Sequence, residues 1–184
     1  MPGLVVLHSE SDCAAWAQSW AACLEGWIQA TGWGPRIFLE GELGVGKTTF
    51  IRHLLRALGV QDRVKSPSFG LLNSYPLACG VQAHHFDFYR LVHPRDWLGC
   101  GLESCFEGPD IVLAEWPQRA WLPAPDCYLE WRLATPECDQ HHVLLRQVAV
   151  KVGPRIVEED LRCFDPLFGG FAFGPLEPWK SAGS

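Results

Sequence analysis

Nothing in this 184-residue chain approaches the ~18 consecutive apolar residues that a membrane-crossing helix needs. Its N-terminus, Met1-Pro2-Gly3-Leu4-Val5-Val6-Leu7, has no basic segment, and its apolar run is too short for a secretory signal. Basic charge is scarce: 15 Lys and Arg stand against 21 Asp and Glu, a formal net charge of -6. That balance excludes a general attraction to nucleic-acid phosphates, so any RNA contact is expected to be local or made by a partner. The 8 cysteines include no C-x-x-C pair, so their spacing offers no zinc site, and a chain this large needs no disulfide staples. Internal repeats are absent too. The expectation is a soluble, cytoplasmic protein with free, buried thiols.

What is present describes a globular domain: 48 % hydrophobic and 20 % charged residues are enough to build a core. We place that domain at residues 1–153. The remainder, 154–184, is a tail rich in Gly, Pro and aromatics (Pro166-Leu167-Phe168-Gly169-Gly170-Phe171-Ala172-Phe173-Gly174-Pro175), either partly ordered or docked on the domain.

The chain is organised around Gly41-Glu42-Leu43-Gly44-Val45-Gly46-Lys47-Thr48, which fits G-x-x-x-x-G-K-[ST], the Walker A phosphate loop. The apolar stretch 36–40 before it reads as a buried strand. Residues 49–58 after it, closed by Gly59, read as a helix. Glycines let successive N–H groups turn toward an anion, and the helix N-terminus adds partial positive charge. In this chemistry Lys47 reaches the β- and γ-phosphates of a nucleotide and the Thr48 hydroxyl ligates Mg²⁺. The backbone of Gly41 to Lys47, with Thr48 and Thr49, is therefore the expected nucleotide cradle.

Ahead of the loop, residues 4–7 read as a strand and Ser9 to Ile28 as a capped helix whose Trp16, Trp20, Cys23, Leu24 and Trp27 fall at core spacing. Beyond it, strands are expected over 69–75 and 81–89, joined by a hairpin-like turn. In the second of these, His85, Asp87 and Tyr89 share one face and Phe86 and Phe88 the other. Asp87 is thus a candidate functional carboxylate, although an Asp on a sheet face is otherwise an ordinary solvent-facing residue. Short helices are expected over 94–98, 102–106 and 157–162, and strands over 127–133 and 142–150. Asp110-Ile111-Val112-Leu113-Ala114-Glu115 has the shape of a Walker B strand, which delivers one carboxylate, Glu115, beside the phosphate loop as a candidate Mg²⁺ ligand. His84/His85 and His141/His142 are neighbours on strands, point to opposite faces, and cannot chelate a metal as pairs.

Four segments in order, Gly41 to Phe50, Val64-Lys65-Ser66-Pro67-Ser68-Phe69, His85-Phe86-Asp87-Phe88-Tyr89-Arg90-Leu91 and Glu115-Trp116-Pro117, resemble the TsaE (YjeE) family of small bacterial P-loop ATPases over about residues 4–150. The resemblance implies an α/β P-loop NTPase fold, three-layer α/β/α with a mostly parallel central sheet plus antiparallel strands. It implies ATP and Mg²⁺ as cofactors and TsaB and TsaD homologues as partners, with tRNA reached indirectly through that complex. The job implied is support of threonylcarbamoyl modification of the adenosine beside the anticodon. Carried to matching positions, Lys47 contacts phosphates, Thr48 and Glu115 hold Mg²⁺, and Asp87 lies in the active centre. Trp116 flanks the nucleotide, and Ser66-Pro67-Ser68 forms a nucleotide-sensitive, switch-like loop. The family's Thr near the adenine is replaced here by Cys13, a weaker hydrogen-bond partner.

Three activities fit these residues. The first is an ATP hydrolase that is slow in isolation, since no clear arginine finger stands in the sequence, with Asp87 activating the water if Glu115 serves the metal. The second is a small-molecule or nucleotide kinase, which usually needs an Arg-bearing lid; between Lys47 and Glu115 only scattered Arg52, Arg56, Arg63, Arg90 and Arg95 occur. The third is a non-hydrolysing nucleotide-binding module.

Overall fold

The computed structural model describes residues 3–67, 70–134 and 145–152, with side chains over 5–67 and 70–132. Ser68, His141, His142, the expected helix over 157–162 and the tail lie outside the described residues.

The chain begins with strand β1 (Gly3–Leu7) and helix α1 (Glu10–Thr31). A capping box starts α1: Ser9 Oγ accepts from the Asp12 N–H at 3.1 Å, and the Asp12 carboxylate accepts from the Ser9 N–H at 3.0 Å. Gly32, at φ 74°, ends it in the left-handed conformation. Strand β2 (Arg36–Gly41) then runs into the glycine loop and helix α2 (Lys47–Ala57). Strands β3 (Leu72–Pro76) and β4 (Gln82–Asp87) form the hairpin. They are followed by β5 (Ile111–Glu115), β6 (Cys127–Ala134) and β7 (Leu145–Val152).

These strands make one seven-stranded sheet in the order β1-β7-β6-β2-β5-β4-β3. The centre is parallel: β2 pairs with β5 and β6, and β5 with β4. Antiparallel strands close both sides, β7 and β1 beyond β6, and β3 beyond β4. The expected α/β P-loop architecture, a parallel centre with antiparallel strands added, is the one found.

Each face of the sheet has its own core. Both helices cover one face, where Trp16, Trp20, Phe50 and Trp131 pack ring against ring, with Trp16 and Phe50 centroids 4.8 Å apart. The tryptophans at helical spacing are indeed packing residues. The third layer is built differently from α1 and α2. Phe86 and Phe88 stack at 5.6 Å and pack with Trp97 and Phe106, carried by turns and the 3₁₀ helix Glu103–Phe106. The helix expected over 94–98 is a run of turns, in which Asp96 N–H donates to the His93 carbonyl and Leu98 N–H to that of Arg95. Gly99 and Gly101, at φ 78° and 77°, stop it from extending.

Two buried polar ties set the strand starts. Asp126, fully buried, accepts from the Arg36 N–H at 2.7 Å and returns its own N–H to the Arg36 carbonyl at 2.8 Å, fixing β6 against β2. His84 links Ser74 Oγ at 2.8 Å to Asp110 Oδ2 at 3.1 Å, pinning the hairpin to the entrance of β5. Strand β3 begins at Leu72, because Leu71 adopts φ 61° and leaves the extended conformation, so that only its carbonyl reaches β4, accepting from the Asp87 N–H at 3.0 Å; residue 69, the expected start, lies outside the described residues.

Among the described cysteines none is in a disulfide. Cys13, Cys23 and Cys127 are buried as expected, whereas Cys79 and Cys100 are exposed because they sit in turns outside either core. No described helix is long and apolar enough to cross a membrane.

Candidate functional site

The parallel centre directs the carboxyl ends of β2, β4 and β5 to one edge, the usual place for a ligand on an open α/β sheet. Two residues after Leu39, which pairs with Glu115 across β2 and β5, the chain leaves the sheet as the glycine loop. Gly41 takes φ 150°, and a Cβ there would come within 2.6 Å of the Trp131 carbonyl, so only glycine lets the loop start against β6. Gly46, at φ 112°, is the N-cap of α2 and supplies no side chain, so the first-turn N–H groups are not capped from within. An uncapped helix start inside a curled loop is a cradle for an anion.

A cleft of about 450 Å³ opens above it, lined by Gly44, Lys47, Thr48, Ser66, Asp87, Glu115 and Trp116 among others. Lys47 is almost fully buried, and its Nζ donates to the Gly41 and Glu42 carbonyls at 2.8 Å each. Burial pulls its ammonium below the ordinary lysine pKa, while the charges of Glu115, Asp87 and Glu40 oppose that shift. The Trp116 ring lies over the ammonium, 4.3 Å from Nζ to centroid. To place it there the backbone holds Trp116 in the left-handed region, φ 57° and ψ 45°, a conformation that costs about 1–3 kcal/mol for a residue other than glycine.

Thr48 Oγ1 donates to the Glu115 carboxylate, 2.8 Å from Oε1 and 2.9 Å from Oε2. Ser66 Oγ donates to Asp87 Oδ2 at 2.5 Å, and the Tyr89 N–H donates to Oδ1 at 3.0 Å. The residues singled out from sequence are therefore gathered around one cleft. The exceptions are informative. Val45 turns its side chain into the core, and Glu42 and Gly41 contribute their carbonyls to Lys47. Pro67 is buried, Ser68 lies outside the described residues, and Cys13 is buried in the helical core.

Thr48 and Glu115 offer hard oxygen donors of the kind Mg²⁺ takes, and no group of three or more His, Cys, Asp or Glu able to hold a metal exists among the described residues.

Two residues at the site were not assigned there from sequence. His85 is fully buried with Nε2 2.9 Å from Glu115 Oε1; the signal for it was its place two residues before Asp87 on one strand face. Arg119, in the 3₁₀ helix Pro117–Arg119, donates to the Tyr89 carbonyl at 2.6 Å and lies 5.5 Å from the Trp116 ring. No sequence pattern marked it. His84 and His85 do point to opposite faces, His84 to Ser74 and Asp110, His85 to Glu115.

Comparison with known proteins bears on the fold and the family. Among solved structures, YdiB of Bacillus subtilis has a similar fold, with a TM-score of 0.61 at 21 % identity over 91 % of this chain and 95 % of that one. The tRNA threonylcarbamoyladenosine biosynthesis protein TsaE of Haemophilus influenzae is 40 % identical over 83 residues, which cover 45 % of this chain and 52 % of that protein. Its counterpart in Treponema pallidum is 31 % identical over 121 residues, 66 % of this chain and 83 % of that protein. The family model for threonylcarbamoyl adenosine biosynthesis protein TsaE matches residues 7–143, a span containing the glycine loop, Asp87, Glu115 and Trp116. The chain belongs to the TsaE family.

Proposed function

We propose that this protein is a Mg²⁺-dependent ATPase that supports tRNA threonylcarbamoyladenosine formation together with TsaB and TsaD homologues in the cytoplasm. The observation that carries the reading is the joining of Thr48, the first-turn hydroxyl of an uncapped phosphate loop, to Glu115 at the end of the neighbouring parallel strand.

The loop N–H groups and Lys47 bind and orient the triphosphate and offset negative charge as it develops on the γ-phosphoryl group. Mg²⁺, held by Thr48 and Glu115, supplies further charge neutralisation when bound. A water oxygen forms the new bond to the γ-phosphorus, the bond to the β,γ-bridging oxygen breaks, and the water's proton passes to the Asp87 carboxylate. Asp87 suits that part because Ser66 and the Tyr89 N–H already fix its orientation. The Ser66 bond also gives the switch-like loop a way to respond to the γ-phosphate. The acidic chain leaves the RNA to its partners.

Phosphate release from the purified protein, alone and with TsaB and TsaD homologues, tests the reading. Slow release that the partners accelerate, and that Lys47→Ala abolishes, is the expected outcome; hydrolysis by Lys47→Ala at the parent rate refutes the site. Transfer of phosphate to an added acceptor instead of water would make the protein a kinase.

A further inference from the structure

We propose that His85 is a positioning residue that holds the Glu115 carboxylate in the orientation needed for Mg²⁺; this rests on the reading of Thr48 and Glu115 as the Mg²⁺ residues. His85 is fully buried on β4, and its Nε2 is 2.9 Å from Glu115 Oε1. Its Nδ1 has no hydrogen-bond partner among the described residues. Those facts assign the proton. A neutral imidazole carries one N–H, and a buried N–H without an acceptor is costly, as is a bare ring nitrogen facing a carboxylate oxygen. The tautomer that avoids both has its proton on Nε2, donating to Oε1, and leaves Nδ1 unprotonated.

The consequence falls on Glu115. Both of its oxygens are reached by the single Thr48 hydroxyl, which has one proton to share between them and so does not select one oxygen over the other. The His85 bond does select: it engages Oε1 and leaves Oε2, which the imidazole does not touch, to serve the metal or its water. Because β4 and β5 are paired in register, with His85 opposite Leu113 and Asp87 opposite Glu115, the imidazole arrives from a rigid strand rather than a loop. Partners of this kind that orient a ligating carboxylate change metal affinity by about 10- to 100-fold when removed.

Two polar replacements separate positioning from packing. The amide of His85→Gln reaches the place of Nε2 and can donate to Oε1. That of His85→Asn reaches only the place of Nδ1. ATP binding to the parent and both variants is measured by calorimetry with Mg²⁺ and with EDTA, alongside urea unfolding. The expected result is that His85→Asn loses about 10-fold or more of the affinity gained from Mg²⁺ while its affinity in EDTA stays at the parent value. His85→Gln keeps most of the gain. Equal Mg²⁺ gains in His85→Asn and parent overturn the proposal, as does a folded His85→Gln that loses as much as His85→Asn. A parent that gains nothing from Mg²⁺ overturns the underlying ATPase reading instead.

Discussion

Asp87 on β4 and Glu115 on β5 are direct partners in the register of the parallel sheet, so two carboxylates stand side by side at its carboxyl edge. Each is held by a different hydroxyl, Asp87 by Ser66 and Glu115 by Thr48, and that division separates their chemistry. Asp87→Asn should leave ATP affinity close to the parent and lower turnover by about 10²-fold, as for loss of a general base. Glu115→Gln should weaken binding chiefly when Mg²⁺ is present. Calorimetry beside steady-state hydrolysis distinguishes them, and identical profiles for the two variants would argue against separate roles.

Trp116 lies over Lys47 at the cleft wall, so its emission should report what enters the cleft. Adding Mg²⁺-ATP is expected to change tryptophan fluorescence in the parent. The Trp116→Phe variant should lose that change although 8 of the 9 tryptophans remain. Persistence of the full signal would place the nucleotide elsewhere.

Cys127 is wholly buried beside Asp126, and burial, with that negative charge, pushes its thiol pKa well above the ordinary 9.0. The folded protein thus holds the thiol proton more tightly than the unfolded chain. The stability this lends is complete below about pH 9 and is lost as pH rises toward the folded value. Urea unfolding should show the parent losing stability relative to Cys127→Ala only in that alkaline range. Among the described cysteines of the native protein, an alkylating reagent should reach Cys79 and Cys100 before the buried Cys13, Cys23 and Cys127, since both are exposed.

Asp126 ties the starts of β2 and β6, and its carboxylate lies 3.5 Å from Arg36 Nε as well as on the Arg36 N–H. Asp126→Ala leaves a buried N–H and a largely buried guanidinium without this partner, and should cost about 3 kcal/mol in urea unfolding. Asp126→Asn keeps an oxygen acceptor and should cost less. A loss below about 1 kcal/mol for the alanine variant would show that the tie is dispensable.

Local chemistry made much of the molecule legible from its residues. The loop from Gly41 to Thr48 can do little else than curl and start a helix, because its glycines reach positive φ and its side chains leave the helix N-terminus uncapped. Alternation placed His85 with Asp87 and Phe86 with Phe88, since a strand has only two faces. The helix through Trp16, Trp20 and Trp27 followed from apolar spacing and its Ser9 cap. Local rules failed where tertiary contacts decide the backbone. Residues 94–98 carry a helix-like start, yet Trp97 is needed against Phe86, Phe88 and Phe106, and turns bring it there. Leu71, a branched residue at positive φ, hands its carbonyl to the Asp87 N–H, a conformation no propensity favours.

The sequence by itself determined the kinds of groups available: a glycine loop with Lys47 and Thr48, and acids at the ends of two strands. It could not say that Glu115 would be shared between Thr48 and His85, that Asp87 would be engaged by Ser66, or that Trp116 would be strained over Lys47. Those relations depend on strand order, because β5 must lie between β2 and β4 before the loop, the acid and the imidazole can meet. Strand order is set by burying two separate aromatic cores on the faces of one sheet, a property of the whole chain and of no single segment.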